Sequence, residues 1–345
     1  MFGQQGQVER QVQELLVTAG SQQSQGHVFA AMNALQQAKQ RAQEGGGPAL
    51  TAQVMAATAS LHMAAGHGDD ALTAMQEASD LFGQAGDQPS RVRALVQLAS
   101  MRAAAGQANA ALGLVRDCLA AASRLGDKQL ITEVRAANGQ LLLGTGNIPG
   151  AVDEFRAGLQ TAAGLSDPIA QIQLRAFLAV AVFQSGDVVQ ANKLLTENAR
   201  VARDMPNLVA AARALSIVCD ALLAIRRPLD ALNVGQEILA KLQSAGAKPQ
   251  IIDATIALAN LYALAGRPDD SAKCAKQAVA AARETGGPAA AIPVLMRLGT
   301  MALQRGDRQA ATDFLGQAKK QVTAAGLPTP PVLIQMLGQL GQLGL

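Results

Sequence analysis

Large aromatic side chains are almost missing from this 345-residue sequence, which has no Trp, one Tyr (Tyr262) and seven Phe. Rings usually fill much of a large globular core, so this interior must be built from Ala, Leu, Val and Met. That alphabet favours helix packed on helix, because Ala and Leu have the best helix propensities and β-branched runs are scarce. The same scarcity removes the stacking platforms that single-stranded nucleic acid needs. Charge is thin as well: charged residues make up 16%, and a net charge of +3 is spread along the chain. A nucleic-acid footprint needs clustered Lys and Arg, so no nucleic-acid partner is expected.

Cysteine is the next shortage. Cys118, Cys219 and Cys274 are odd in number and far apart. They exclude a disulfide framework and a Cys-based zinc site, and they fit a reducing compartment. No window approaches the ~20 apolar residues of a membrane span. The Gln-rich stretch from Met1 to Glu14 lacks the apolar segment of a signal peptide. A cytoplasmic protein with no membrane insertion is the expectation.

Catalytic constellations are also wanting. There is no Gly-Lys-Ser/Thr for a phosphate loop, no Gly-x-Ser-x-Gly elbow and no His-Glu-x-x-His pair. The run Gly144-Thr145-Gly146-Asn147-Ile148-Pro149-Gly150 lacks dinucleotide spacing and falls between helices rather than after a strand. The only histidines are His27, His62 and His67. His62 and His67 lie near Asp69 and Asp70 and offer metal-ligand types. Yet His62 ends one helix while the acids begin the next, where carboxylates suit a helix N-terminus, so surface histidines are expected there. Cys219 falls in a column of small packing residues, and Cys118 and Cys274 within helical patterns, so all three read as inert. No catalytic residue, metal or cofactor is expected.

What the sequence does have is glycine, 33 of them, and they are ordered. Gly26, Gly66, Gly106, Gly146, Gly186, Gly266 and Gly306 stand on one 40-residue ladder, broken only at Arg226. Half a period away run Gly46, Gly86, Gly126, Ser166, Pro206, Gly246, Gly286 and Gly326, with Asp87, Asp127 and Asp167 after three rungs. Many of these glycines punctuate helix ends. Segments of helical spacing lie between the ladders, such as Ser90 to Ala105 and Ala108 to Leu125. Each unit is a helix, a Gly turn, a second helix and a turn into the next unit. At Arg226-Arg227-Pro228 the sixth turn is expected to differ in shape.

Two further columns set the packing. Ala19, Ala59, Ala99, Gly139, Ala179, Cys219, Ala259 and Gly299 precede the first ladder by seven residues. Ala31, Ala71, Ala111, Ala151, Ala191, Ala231, Ser271 and Ala311 follow it by five. Small residues throughout let two helix axes approach closely. Bulkier columns run beside them: Leu98, Leu178, Val218, Leu258 and Leu298 on the first helix, and Leu35, Met75, Val115, Phe155, Leu195 and Leu315 on the second. The register divides the chain into an eight-unit array over 1–326, with units ending near 46, 86, 126, 166, 206, 246, 286 and 326. Residues 327–345 follow as a Pro-rich turn and a terminal helix. In that helix, Val332 to Leu343, one apolar face carries Leu333, Met336, Leu337, Leu340 and Leu343. It is expected to cap the last hairpin, as the end of a repeat array requires. Self-association through the same face is the alternative.

The spacing from small residue to Gly to Ala resembles the tetratricopeptide repeat. The likeness is plainest in Leu258-Ala259-Asn260-Leu261-Tyr262, Gly266 and Ala278, and it recurs in Leu298-Gly299, Gly306, Ala311 and Ala318. The departures are a period of 40 residues rather than the family's common 34, and loss of the tyrosine outside Tyr262. The long period is similar to the branch found in scaffold adaptors and in sensor domains of bacterial regulators. This resemblance implies an all-α, right-handed solenoid of eight antiparallel helix pairs with a capping helix.

It also implies that the first helix of each pair lines a concave groove. One row then holds Gln13, Gln53, Arg93, Glu133, Gln173, Arg213, Asp253 and Pro293. A second holds Gly20, Ser60, Ser100, Gln140, Val180, Asp220, Asn260 and Thr300, with Gln97 and Arg297 beside them. The partner-binding set expected from these rows is Arg93, Gln97, Ser100, Glu133, Gln140, Gln173, Arg213, Asp220, Asp253, Asn260 and Arg297. Arg93 and Arg213 suit carboxylates, and Asn260 suits a peptide backbone. The expected function is a non-enzymatic scaffold or adaptor holding a peptide or helical segment of a partner protein. A regulatory sensor for a small ligand or signalling peptide, acting on an effector in trans, is the alternative; a phosphatase of the repeat-containing regulator type is a third class that no cluster of acids, amides and base supports.

Overall fold

The computed structural model describes residues 2–24 and 28–341. Gly26, His27, Gln342 and Leu343 lie outside the described residues. Every regular element described is helical: seventeen α-helices and one short 3-10 turn. Two compact units are present, 1–190 and 191–345.

The first unit holds α1 (Phe2–Ser24), α2 (Val28–Gly45), α3 (Gly47–Ala64), α4 (Gly68–Gln84), α5 (Gln88–Ala104), α6 (Ala108–Leu125), α7 (Lys128–Gly144), α8 (Ile148–Ala162) and α9 (Pro168–Gln184). The second holds most of α10 (Val188–Arg203), then α11 (Leu208–Ala224), α12 (Pro228–Ser244), α13 (Lys248–Leu264), α14 (Pro268–Gly286), α15 (Ala291–Gln304), α16 (Arg308–Ala324) and α17 (Pro331–Gln339). From α1 to α8 in the first unit and from α11 to α16 in the second, each odd-numbered helix is the first member of a pair and packs against the even-numbered helix that follows.

The small columns are the seams of these pairs. Every described member is buried except Ser271, which is half-buried. At Gly139 an added Cβ would lie 2.4 Å from the Phe155 ring, and at Gly299 2.6 Å from the Leu315 side chain. Glycine there lets a bulkier second-helix residue fill the space its Cβ would occupy, and the Phe155 and Leu315 side chains are completely buried.

The turns within pairs also share one geometry. Gly66, Gly106, Gly146, Gly186, Gly266 and Gly306 all have φ between 73° and 95°. At the gap in that column Arg226 takes φ 60°, the one non-glycine with positive φ among the described residues. Its amide bonds to the Leu223 carbonyl at 3.0 Å and the Arg227 amide to Leu222 at 2.8 Å, matching Gly66 with Met63 and His67 with His62. The sixth turn therefore keeps the common shape, against expectation: the hydrogen bonds hold Arg226 in a left-handed conformation that its side chain disfavours.

Entry into the helices is fixed by side-chain caps. Asp87, Asp127 and Asp167 accept backbone N–H groups of the first turns of α5, α7 and α9 at 3.0–3.2 Å. Asn147, Asp187, Asn207 and Asp307 do the same for α8, α10, α11 and α16. The last helix, α17, ends at Gln339, shorter than the expected Val332 to Leu343, and buries Leu333 and Leu337, with Leu340 buried just past its end; Met336 receives the Thr300 hydroxyl at 3.6 Å from its sulfur. It covers the end of the second unit as a cap.

Candidate functional site

All eleven residues expected to bind a partner lie on odd-numbered helices with exposed or half-buried side chains. Arg93, Gln97 and Ser100 are on α5, Glu133 and Gln140 on α7, and Gln173 on α9, within the first unit. Arg213 and Asp220 are on α11, Asp253 and Asn260 on α13, and Arg297 on α15, within the second.

Several of them are engaged with one another. Arg93 Nε donates to Glu133 Oε2 at 2.8 Å, and Gln129 reaches the other oxygen at 3.3 Å. The hydrogen bond to Glu133 raises the Arg93 pKa further above its ordinary value. Two rungs earlier in the same row, Gln13 donates to Gln53 at 3.0 Å. In the second unit Arg297 pairs with Asp253 at 2.5 Å, and the Asn260 side-chain oxygen Oδ1 accepts from the Arg305 guanidinium. Asn260 therefore does not offer that oxygen freely to a peptide.

Arg213 and Asp220 are different. They stand seven residues apart on α11, and neither has an ion pair or side-chain hydrogen bond among the described residues. Both border a recess of about 470 Å³, which Asp253 and Arg297 also line. Its walls are mainly apolar, from Val209 and Ala212 on α11, Ile238 and Leu242 on α12, and Leu258 on α13. Asp220 keeps an exposed side chain, and partial loss of water around its carboxyl raises its pKa. Four expected residues thus surround one pocket. The walls were not read from the sequence, although Ser216 lies at helical spacing from both Arg213 and Asp220 and signals the same face.

Cys219 also lines the recess, yet burial pushes its thiol up to about 12. It stays protonated at neutral pH and is no nucleophile. Cys118, pushed up to about 11 by burial, and Cys274, shifted in the same direction, are buried likewise.

Elsewhere the fold joins groups that the helix boundaries had separated. His62 Nδ1 lies 4.0 Å from Asp70 Oδ2, and the His62 and His67 rings are 5.9 Å apart. Tyr262 accepts from Gln236 at 2.8 Å, with the Arg267 guanidinium 4.9 Å above its ring. No helix among the described residues is long and apolar enough to cross a membrane.

No family model matches the sequence, and no curated protein matches it significantly. Solved structures do share its fold. Aspartyl phosphate phosphatase F from Bacillus subtilis superposes with a TM-score of 0.54 at 10% identity, over 79% of this chain and 70% of that one. The apo form of RapI gives 0.50 at 11% identity, over 79% and 98%. The Rap conjugation gene regulator of plasmid pLS20, in complex with the Phr* peptide, gives 0.50 at 15%, over 78% and 73%. The chain has a tetratricopeptide-like helical-repeat fold.

Proposed function

We propose that the protein is a binding module that holds a peptide segment of a partner protein in the recess on α11, α12 and α13. The observation that carries this reading is the placement of Arg213 and Asp220: an unpaired guanidinium and an unpaired carboxylate border one mainly apolar recess. Seven residues along a helix is about 10.5 Å. An extended peptide covers that distance in about three residues. The segment that fits carries an acidic residue for Arg213, an amide or basic group for Asp220, and an apolar side chain between them for the pocket. Oriented charges of this kind fix register, and the apolar side chain supplies most of the affinity. The shared fold adds support, since the pLS20 regulator is in complex with a peptide.

A recess of this size also falls in the range of small-ligand pockets, about 300–1,000 Å³. Sensing of a small ligand is therefore the second reading. The two separate on a displayed-peptide selection against the full chain, followed by affinity measurements on purified peptides. Peptides with the acidic–apolar–amide pattern should be enriched, and Ser216→Trp, which fills the pocket from an exposed position, should abolish their binding. Selected peptides that bind Ser216→Trp unchanged would place recognition elsewhere. A metabolite that stabilises the wild type but not Ser216→Trp, with no peptide enriched, would favour the sensor.

A further inference from the structure

We propose that His62, His67 and Asp70 form a binding site for one divalent transition-metal ion of the zinc class, at the turn joining α3 to α4. One ligand atom from each residue lies within 4.8 Å of the other two. Two imidazoles and a carboxylate are a donor set that zinc accepts, with a remaining position left for water.

The backbone holds the two histidines together. The His67 amide donates to the His62 carbonyl at 2.9 Å across the left-handed turn at Gly66, and His67 then serves as the N-cap of α4. Asp70 follows three residues later in the first helical turn. His62 is half-buried, and its Nδ1 is removed from solvent without any hydrogen-bond partner. The carboxylate oxygen facing it stands at 4.0 Å, too far for a hydrogen bond. Two donors on one tetrahedral zinc, each bonded at about 2.0–2.1 Å, stand about 3.4 Å apart. The His62–Asp70 distance is therefore close to what a shared ion needs. His67 and Asp70 are exposed, so their side chains are free to turn the remaining ångström or so onto the ion. Asp69 and Asp70 offset the partial positive charge of the α4 N-terminus, which would otherwise oppose a cation. The ion then staples the last turn of α3 to the first turn of α4.

The test uses the full chain, stripped of metal with a chelator and titrated with zinc chloride by calorimetry and with cobalt(II) by visible absorption. The expected result is one saturable ion per chain and a rise in Tm with zinc. His67→Ala and Asp70→Asn alter exposed side chains and should keep the fold while weakening binding roughly tenfold or more. His62→Gln should lose it too, and His27→Ala should leave it unchanged. Absence of saturable binding, wild-type affinity in both exposed variants, or dependence on His27 alone overturns the site.

Discussion

Arg93 on α5 and Glu133 on α7 are forty residues apart in sequence and 2.8 Å apart in space. One repeat period thus becomes one hydrogen bond between neighbouring first helices, and Gln13 with Gln53 repeats the relationship. The row expected to face a partner is partly satisfied by its own members. Both side chains of the Arg93–Glu133 pair remain substantially exposed, so the pair adds little to stability. Glu133→Ala should cost less than about 1 kcal/mol in a urea titration. A loss above about 2 kcal/mol would mean that the pair organises the neighbouring hairpins.

The Gly139–Phe155 contact should be far less forgiving. A methyl group at Gly139 meets the ring at 2.4 Å, and the ring is fully buried. Gly139→Ala should destabilise by about 1–2 kcal/mol after the gain in helix propensity is set against overpacking. Ala99 and Val115 occupy the same two positions one repeat earlier, so Phe155→Val should cost less in the Gly139→Ala background than alone. A double-mutant cycle in denaturant measures that coupling.

Arg226 provides the opposite case. Its φ of 60° is a conformation that glycine adopts without strain in the other turns of the ladder. Arg226→Gly should stabilise the protein by about 1 kcal/mol, because relief of strain exceeds the added unfolded-state entropy. Gly106→Ala should destabilise by a similar amount. Thermal unfolding of the two variants beside the wild type gives both signs.

Asp220 makes stability depend on pH. Partial loss of water raises its pKa in the folded chain above the ordinary 3.8, so the folded state keeps this proton after the unfolded state has lost it. Its contribution then falls as pH rises from about 3.8 through the raised folded value, since the folded state binds more protons in that window. Asp220→Asn should remove this component, leaving the variant at least as stable as the wild type at neutral pH. Unfolding free energies of both proteins across that interval test the sign.

Much of this fold was legible because a repeat writes each structural demand eight times. The Ala and Gly columns, the left-handed turns and the caps at Asp87, Asp127 and Asp167 recur at fixed spacing, and each has a local steric or hydrogen-bonding cause. What stayed hidden depended on tertiary closure. The turn at Arg226 looked like a break because its residue type changed, whereas backbone hydrogen bonds held the shape. The approach of His62 to Asp70 arises from the turn at Gly66, where the His67 amide bonds back to the His62 carbonyl, a closure that residue spacing does not specify. At the recess, Arg213, Asp220, Asp253 and Arg297 were readable as a polar face, but the apolar walls from α11, α12 and α13 were not. Those walls belong to three helices and come together only through packing.

The most direct measurement is a charge-swap cycle at Arg213. A selected peptide with an acidic residue is titrated by calorimetry into the full chain and into Arg213→Glu, and the same peptide carrying Lys at that residue is titrated into both. Direct pairing at the recess predicts a loss of roughly tenfold or more for each single change and recovery of most of that affinity when both are made. Equal affinity of the acidic peptide for the wild type and Arg213→Glu, with no recovery in the double change, would contradict peptide recognition at this recess.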